Sequence, residues 1–242
     1  MLPWVVSFCA PNGAGKTTQA VLLASALEQA GHPARCIDTF EHIIKPEIFP
    51  EDLPDREYVY TVSGLEGEQR TTRETERAIN KSGGMNTSSW VTWLVCGAMR
   101  QTIHDGTWAL FSGFPRSVSQ AKEFVEEFGR LYAAGLAGGL YVIRIEVPLE
   151  IARQRLVAAF ELLSSEEQER IRYKIDEMPK RFAWFKDDTL PAFAVLERSR
   201  IPQARLVLID DGRRTPEQVH TRIFKQVTAV TKLRVGDHPA QS

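Results

Sequence analysis

The sequence is poor in the features that secreted, zinc-binding and membrane-spanning proteins need. Its three cysteines, Cys9, Cys36 and Cys96, are odd in number and widely scattered, which argues against a disulfide framework and against a zinc site. No apolar run reaches the length of a membrane span, and an apolar strand pattern already starts at Trp4, too early to follow a signal peptide. We therefore expect a cytoplasmic protein that does not bind membranes.

An excess of charge of either sign is also missing. The 30 Lys and Arg residues nearly balance the 31 Asp and Glu residues, so a nucleic-acid-binding surface is not expected. Any strongly positive site must then be local. With 242 residues, of which 43% are hydrophobic, the chain is long enough for one elaborated α/β core.

A glycine-rich segment, CAPNGAGKTTQA at residues 9–20, is the most informative part of the chain. It matches the pattern G-x-x-x-x-G-K-[ST], with Ala10 at the position of the first glycine. An apolar run precedes the segment and a helical pattern follows it, and this strand, loop and helix context is what a phosphate-binding loop requires. A chance turn is therefore disfavoured, and a small residue such as Ala10 suffices unless its position needs a positive φ.

The residue types in this loop suit a nucleoside triphosphate. Gly13 and Gly15 let the backbone N–H groups turn inward, Lys16 can bridge terminal phosphates, and the Thr17 hydroxyl can bind Mg²⁺. We expect Mg²⁺ to enter with ATP. The residues expected to bind ATP in this loop are Asn12, Gly13, Ala14, Gly15, Lys16, Thr17 and Thr18.

Five strand-length apolar runs alternate with longer helical patterns. The predicted strands are residues 4–9, 34–37, 108–111, 140–147 and 206–209, and the predicted helices begin near residues 17, 90, 119, 149, 171 and 216. This alternation predicts an α/β fold with a five-stranded parallel sheet flanked by helices, with ligands at the carboxyl ends of the strands. Gly31 is expected to end the first helix, and Thr215 with Pro216 to begin the last.

A second motif, SGFPRSVSQA, follows the predicted strand at residues 108–111. Taken alone, it would be a proline turn with an exposed arginine at the start of a helix. Beside a phosphate-binding loop, Arg116 can instead face the transferred phosphoryl group, and the amide of Gln120 can pair with the edge of a base.

At these two motifs the chain resembles the adenylate kinase family of nucleoside monophosphate kinases. GAGKTTQ is similar to the family's GxGKGTQ loop, and SGFPRSVSQ is similar to its DGFPRxxxQ segment. The resemblance implies a P-loop kinase fold with a helical acceptor-binding lobe and a short lid, in a monomer. It also implies that Arg116 binds the acceptor's phosphate, and that Gln120 contacts its base.

The resemblance extends more loosely to three arginines further along the chain. VIRIEVPLEIARQRL implies that Arg155 packs on the adenine of the donor, and ERIRYKIDEMPKRFAWFKDDTLP implies that Arg170 and Arg181 clamp the phosphates. Arginines at helical spacing are solvated, or paired with acids such as the many nearby, as often as they bind phosphate. Arg172 or Arg153 would bind the phosphates in their place if the register of this match differs.

These matches divide the chain into a core of residues 1–39, 90–156 and 171–242, an acceptor lobe at 40–89 and a lid at 157–170. Thr39 is expected to bind the acceptor, and Arg56 its phosphate, with Lys45 and Arg70 as alternatives. Of Trp90 and Trp93, at least one is expected in the core, and the other is a candidate wall of the base pocket.

The chain departs from the family at several positions. Thr17 replaces a glycine and makes GKTTQ similar to thymidylate kinases, Ser112 replaces the acid that orients the water shell of Mg²⁺, and Ala159 replaces a lid arginine. Asp210 or Asp38 could supply the missing acid from a neighbouring strand end. The lid contains no cysteine, which excludes a zinc lid.

The resulting hypothesis is ATP-dependent phosphoryl transfer to a nucleoside monophosphate, most simply an adenylate-type acceptor, giving two diphosphates. Two alternatives stay open. One is a kinase of a deoxynucleotide or another small molecule, and the other is a nucleotide-binding regulatory protein with weakened catalysis.

Overall fold

The computed structural model describes residues 1–39, 57–61, 68–81, 87–165, 168–169, 172–201, 203–210 and 212–232. In chain order its elements are β1 (Trp4–Cys9), α1 (Lys16–Gln29), β2 (Ala34–Asp38), β3 (Glu57–Thr61), β4 (Glu68–Thr72), α2 (Arg73–Lys81), α3 (Ser88–His104), β5 (Trp108–Ser112), α4 (Val118–Ala133), β6 (Gly139–Glu146), α5 (Leu149–Glu161), α6 (Tyr173–Asp176), α7 (Met178–Trp184), a π-helical segment (Phe185–Thr189), α8 (Leu190–Arg198), β7 (Gln203–Ile209) and α9 (Pro216–Thr231). Among the described residues, no helix combines the length and the apolar character needed to cross a bilayer.

The five predicted strands form one parallel sheet in the order β2-β5-β1-β6-β7. This confirms the predicted fold class. β1 lies at the centre, and its neighbours β5 and β6 follow it in the chain on opposite sides. The loop after β1 therefore lies where the strand order reverses, which is where open α/β sheets bind ligands.

The three central strands, β1, β5 and β6, are nearly continuous apolar runs because helices cover both faces of the sheet there, whereas the edge strands β2 and β7 are partly exposed. On one face, α3, α4 and α8 contribute Trp90, Phe124 and Phe193 to a buried cluster. On the other face, α1 and α9 contribute Leu23 and Ile223. Trp90 is completely buried, which confirms its core role, whereas Trp93 is 41% exposed on the same helix.

The ends of two helices are formed as the sequence predicts. Gly31, at φ +81°, follows α1, and the N–H groups of Gly31 and His32 donate to the carbonyls of Glu28 and Leu27. Such a bend after a helix suits glycine, which adopts positive φ without strain. At α9, Thr215 and Gln218 form a reciprocal capping box.

The region between β2 and α3 differs from the predicted helical lobe. Its described part contains α2, but also an antiparallel pair, β3 and β4. The completely buried carboxylate of Glu76 accepts hydrogen bonds from Thr71 Oγ1 at 2.9 Å and from the Thr87 N–H at 3.1 Å. Glu76 thus joins the end of β4 to the start of α3.

The predicted lid and the helix after it also differ in detail. α5 continues to Glu161, through the first residues of the predicted lid at 157–170, because this stretch contains helix-forming alanines. The single helix predicted from residue 171 is divided into α6, α7, the π-helical segment and α8. Pro191, in the first turn of α8, has no N–H to donate to the preceding turn, which accounts for the wider helix there.

Candidate active site

The loop between β1 and α1 has the backbone geometry that its glycines predict. Gly13 and Gly15 have φ values of +80° and +82°. A Cβ on Gly13 would lie 2.1 Å from the carbonyl oxygen of Ala152 in α5, so only glycine fits there. Ala10 is buried and does not have a positive φ, which explains why alanine is tolerated at the position of the first glycine.

The loop leaves the start of α1 open to an anion. Gly15 precedes the helix, no side chain caps its first N–H groups, and its first turn holds no acidic residue. These N–H groups and the helix dipole favour a phosphate. The Nζ of Lys16 lies 3.5 Å from Oδ1 of Asn12, within the same loop.

A chain of hydrogen bonds links the start of α1 to the carboxyl ends of two strands. Oγ1 of Thr17 donates to Oδ2 of Asp38 at 3.0 Å and lies 2.8 Å from Oγ of Ser112. Asp38 and Ser112 are direct partners in the pairing of β2 with β5. Of the two acids considered for Mg²⁺, Asp38 is therefore the one beside Thr17.

The other acid, Asp210, is engaged elsewhere. Its buried carboxylate lies 2.9 Å from Nη1 of Arg155 and also accepts from the Gly212 N–H at 3.0 Å. The pair joins α5 to the loop after β7. It holds the guanidinium of Arg155 in one place, with part of its surface exposed, and stacking of this group on adenine remains a prediction.

The second motif forms a rigid corner after β5. The Arg116 N–H donates to Oε1 of Gln120 at 2.8 Å, and Nε of Arg116 donates to the Gly113 carbonyl at 2.8 Å. Gln120 is 8% exposed. Since its oxygen accepts a backbone N–H, the amide orientation is determined, and Nε2 can donate to a ligand while the second lone pair of Oε1 can still accept.

A cavity of about 340 Å³ lies between the phosphate-binding loop, this corner and the α7 region. Three predicted catalytic residues, Lys16, Arg116 and Arg181, line it, and Asp188 is its one acidic residue among those that the structure describes. Ser88, the first residue of α3, and Ser117, which caps α4, line it too, so the positive ends of two more helices contribute.

Charges of both signs lie near Arg116. Loss of bulk water lowers the pKa of its guanidinium, although the group stays accessible from the cavity; the charge of Asp38 raises this pKa, and the charge of Arg181 lowers it by less. Arginine remains protonated at physiological pH in any protein. Two guanidinium groups held near each other form a site for an anion.

Several predicted site residues lie elsewhere or outside the described part. Thr18 is exposed beside Thr17, and the buried Thr39 donates to the Ser112 carbonyl at 3.4 Å rather than lining the cavity. Arg172 lies over the Phe160 ring at 5.8 Å, and Arg153 is exposed on α5. Lys45, Arg56 and Arg170 lie outside the described residues, as does the side chain of Arg70 in β4.

Sequence reasoning missed the apolar wall of the cavity. Trp184, Phe185 and Phe193 line it, and Nζ of Lys180 lies 4.9 Å from the Trp184 ring centroid. These residues belong to α7, the π-helical segment and α8. Pro191 in a helical pattern was the available signal, since it marks an irregular helix but does not indicate which side chains turn inward.

Comparison with known proteins provides a fold but no family. No family model matches the chain, and no curated protein matches it. A gluconokinase from Sinorhizobium meliloti 1021 matches with a TM-score of 0.51 and 10% identity, over 96% of this chain and 95% of that one. This likeness agrees with the five-stranded sheet and shows the P-loop kinase fold.

Two further solved structures match at lower TM-scores. APE1195 has a TM-score of 0.43 and 15% identity, over 95% of this chain and 97% of that one. A protein from Chloroflexus aurantiacus j-10-fl, described as a kinase by inference, has a TM-score of 0.44 and 14% identity, over 94% of this chain and 97% of that one. The resemblance to nucleoside monophosphate kinases stays a prediction.

Proposed function

We propose that this protein transfers the γ-phosphoryl group of ATP to a small anionic acceptor. The observation that carries the proposal is the convergence of Lys16, Arg116 and Arg181 on one cavity beside the phosphate-binding loop. Phosphoryl transfer needs little from a protein beyond positioning and positive charge around the moving group. The cavity offers both, with three cations and three helix N-termini.

The donor's phosphates would lie on the loop between β1 and α1. The open N–H groups of α1 and the Lys16 ammonium would bind them, and Arg155, held by Asp210, would pack on the adenine. The Thr17 hydroxyl and the Asp38 carboxylate are hard oxygen donors of the kind that Mg²⁺ accepts, so the residues present fit this ion. Bound Mg²⁺ would neutralise charge on the β- and γ-phosphates.

A nucleoside monophosphate is the first candidate acceptor. Its phosphate would bind Arg116 and Arg181, and one of its oxygens would attack the γ-phosphorus as the bond to the β-phosphate oxygen breaks. The products would be ADP and a nucleoside diphosphate, with no covalent enzyme intermediate. The motif SGFPRSVSQ supports this candidate through its resemblance to adenylate kinases.

A sugar acid or similar hydroxylated acid is the second candidate, and the serine hydroxyls that line the cavity favour it. Gln120 is compatible with either candidate, because Oε1 accepts the Arg116 N–H with one of its two lone pairs and keeps the other for a ligand. The Nε2 donors also suit a hydroxyl or carboxylate oxygen. Ser88, Ser117 and Ser119 add hydroxyls to the same cavity, and the matching structure from S. meliloti is named a gluconokinase.

A panel of acceptors separates these candidates. ATP and Mg²⁺ would be supplied with ribo- and deoxyribonucleoside monophosphates and with sugar acids, and phosphorylated products would be identified by mass spectrometry. Product from one class alone assigns the acceptor. ATP binding without any phosphorylated product would favour the regulatory alternative. A cytoplasmic, monomeric protein remains a prediction from the sequence.

A further inference from the structure

The proton positions in the Thr17 hydrogen-bond chain can be assigned from the chemistry of its members. A carboxylate can only accept, so the Thr17 hydroxyl gives its one proton to Oδ2 of Asp38, 3.0 Å away. The contact of 2.8 Å between Thr17 and Ser112 must then be a hydrogen bond from Ser112 to Thr17. Thr17 uses one of its two lone pairs to accept it, which leaves the other for a cation.

Other carboxylates near this edge of the sheet have different partners or positions. Asp210 pairs with Arg155 at 2.9 Å, and Glu146, at the end of β6, pairs with Arg144 at 2.8 Å. Asp188 lines the cavity from the π-helical segment. Within the described part of the chain, Asp38 is the carboxylate hydrogen-bonded to the Thr17 hydroxyl.

We propose that Asp38 supplies the carboxylate that holds the Mg²⁺ of the bound nucleotide, and that Ser112 orients Thr17 for the same ion. The inference rests on the proposed function, because it concerns the metal that accompanies ATP. P-loop proteins that bind Mg²⁺ with the nucleotide use a loop hydroxyl together with an acid from a strand end. Here the acid comes from the end of β2, while a hydroxyl occupies the end of β5.

The strand register allows the assignment to be tested by exchanging the side chains of Asp38 and Ser112. Asp38 and Ser112 are directly opposite in the parallel pairing of β2 with β5. Adjacent strands lie about 4.8 Å apart, so exchanging the two side chains moves the carboxylate by one strand while keeping the composition of the site. The double variant Asp38→Ser with Ser112→Asp is therefore a matched partner for Asp38→Asn.

The experiment measures binding rather than turnover. Calorimetry would give the affinity of a non-hydrolysable ATP analogue in Mg²⁺ and in EDTA for the wild type, Asp38→Asn, the exchange variant and Asp187→Asn. Asp187, an exposed acid of the π-helical segment that does not line the cavity, is the control. Thermal unfolding checks that each variant is folded.

We expect the wild type and Asp187→Asn to bind the analogue more tightly in Mg²⁺ than in EDTA. In Mg²⁺, Asp38→Asn should bind the analogue about ten- to 100-fold more weakly than the wild type does. This is the range seen when a residue that supports a metal is removed. Its affinity in EDTA should not fall, because removing a negative charge near phosphates does not weaken their binding. The exchange variant should recover part of the loss.

Two results would overturn the inference while leaving the proposed function intact. One is a folded Asp38→Asn variant with the full wild-type response to Mg²⁺. The other is an equal loss in Mg²⁺ and EDTA, which would indicate a structural role for Asp38. A wild-type protein that binds no analogue under either condition would refute the proposed function as well. If the exchange variant does not fold, the Asp38→Asn comparison still decides.

Discussion

The backbone of Gly13 lies against the carbonyl oxygen of Ala152, so close that a Cβ on Gly13 would come within 2.1 Å of it. The phosphate-binding loop and α5 therefore share one tightly packed contact. Arg155 lies on the same helix, three residues further along. The position of the phosphate-binding loop and the position of the predicted adenine-binding arginine thus depend on each other.

Gly13→Ala should abolish ATP binding and lower the stability of the protein. The added methyl group meets backbone, which cannot move aside cheaply, and positive φ costs an alanine about 1–2 kcal/mol in addition. Calorimetry with ATP and thermal unfolding measure the two effects.

Gly31→Ala is the matched control for this variant. Gly31 has a φ of +81°, like the +80° of Gly13, but a Cβ there meets no atom within 4 Å. It should therefore show the conformational cost alone, with unchanged ATP binding. Equal behaviour of the two variants would contradict the role of the Gly13 contact with Ala152.

Arg116→Ala and Arg181→Ala should each lower kcat/KM for the acceptor by about 10²–10³-fold, the usual effect of removing a group that stabilises transition-state charge. The affinity for ATP alone should change much less. Initial rates at varied acceptor concentration provide the measurement.

Arg172→Ala serves as the control for these two variants, because this arginine is exposed, lies over Phe160 and does not line the cavity. Its rates should equal those of the wild type. Normal acceptor kinetics in Arg116→Ala would remove that residue from the site.

The parts of this site that could be predicted from the sequence are those formed by neighbouring residues. The loop at residues 9–20 and the corner at Arg116 are local motifs, and the central strands β1, β5 and β6 are nearly continuous apolar runs, which indicate burial on both faces. The strand ends then bring Asp38 near Thr17, as the topology requires.

Other features depend on contacts between distant parts of the chain. β3 and β4 are short strands, EYVYT and EQRTT. Tyr, Val and Thr favour strands, but neither propensity nor periodicity indicates that these two segments pair with each other in antiparallel fashion. The sequence likewise leaves Asp38 and Asp210 as alternatives, and the contacts of Asp210 with Arg155 and of Asp38 with Thr17 decide between them. Residue propensities and sequence periodicity do not indicate such tertiary pairings.

Glu123 should make stability depend on pH. Burial, and secondarily the charge of Glu126, raise the pKa of this half-buried carboxyl from 4.5 to about 7 in the folded protein. The folded state therefore binds the proton more tightly than the unfolded state does. Stability should fall as the pH rises between about 4.5 and 7.

Glu123→Gln should remove this loss of stability at high pH, since glutamine stays neutral. Its melting temperature should exceed that of the wild type at pH 8 and approach it at pH 4. Glu126→Gln, which loses the ion pair of Glu126 with Arg130, is the comparison. A constant difference between Glu123→Gln and wild type across this range would contradict the raised pKa.

The three thiols should be unreactive in the native protein. Burial raises the pKa of Cys9 and Cys96 to about 12 and that of Cys36 to about 11. At pH 8 almost no thiolate is present to attack a disulfide reagent. Labelling with Ellman's reagent should be slow in buffer and complete in guanidinium chloride, and rapid labelling of the native protein would contradict the burial.

The most direct test of the account is transfer of the γ-phosphoryl group of ATP, followed by ³¹P NMR with the acceptor panel, in the wild type and in Lys16→Ala. Lys16 lies in both the phosphate-binding loop and the cavity, so its loss should lower transfer by orders of magnitude without unfolding the protein. Phosphorylated acceptor in the wild type, and almost none in a folded Lys16→Ala variant, is the predicted result. Near wild-type transfer by Lys16→Ala would contradict the proposed site, and no transfer by a wild type that binds ATP would contradict the proposed activity.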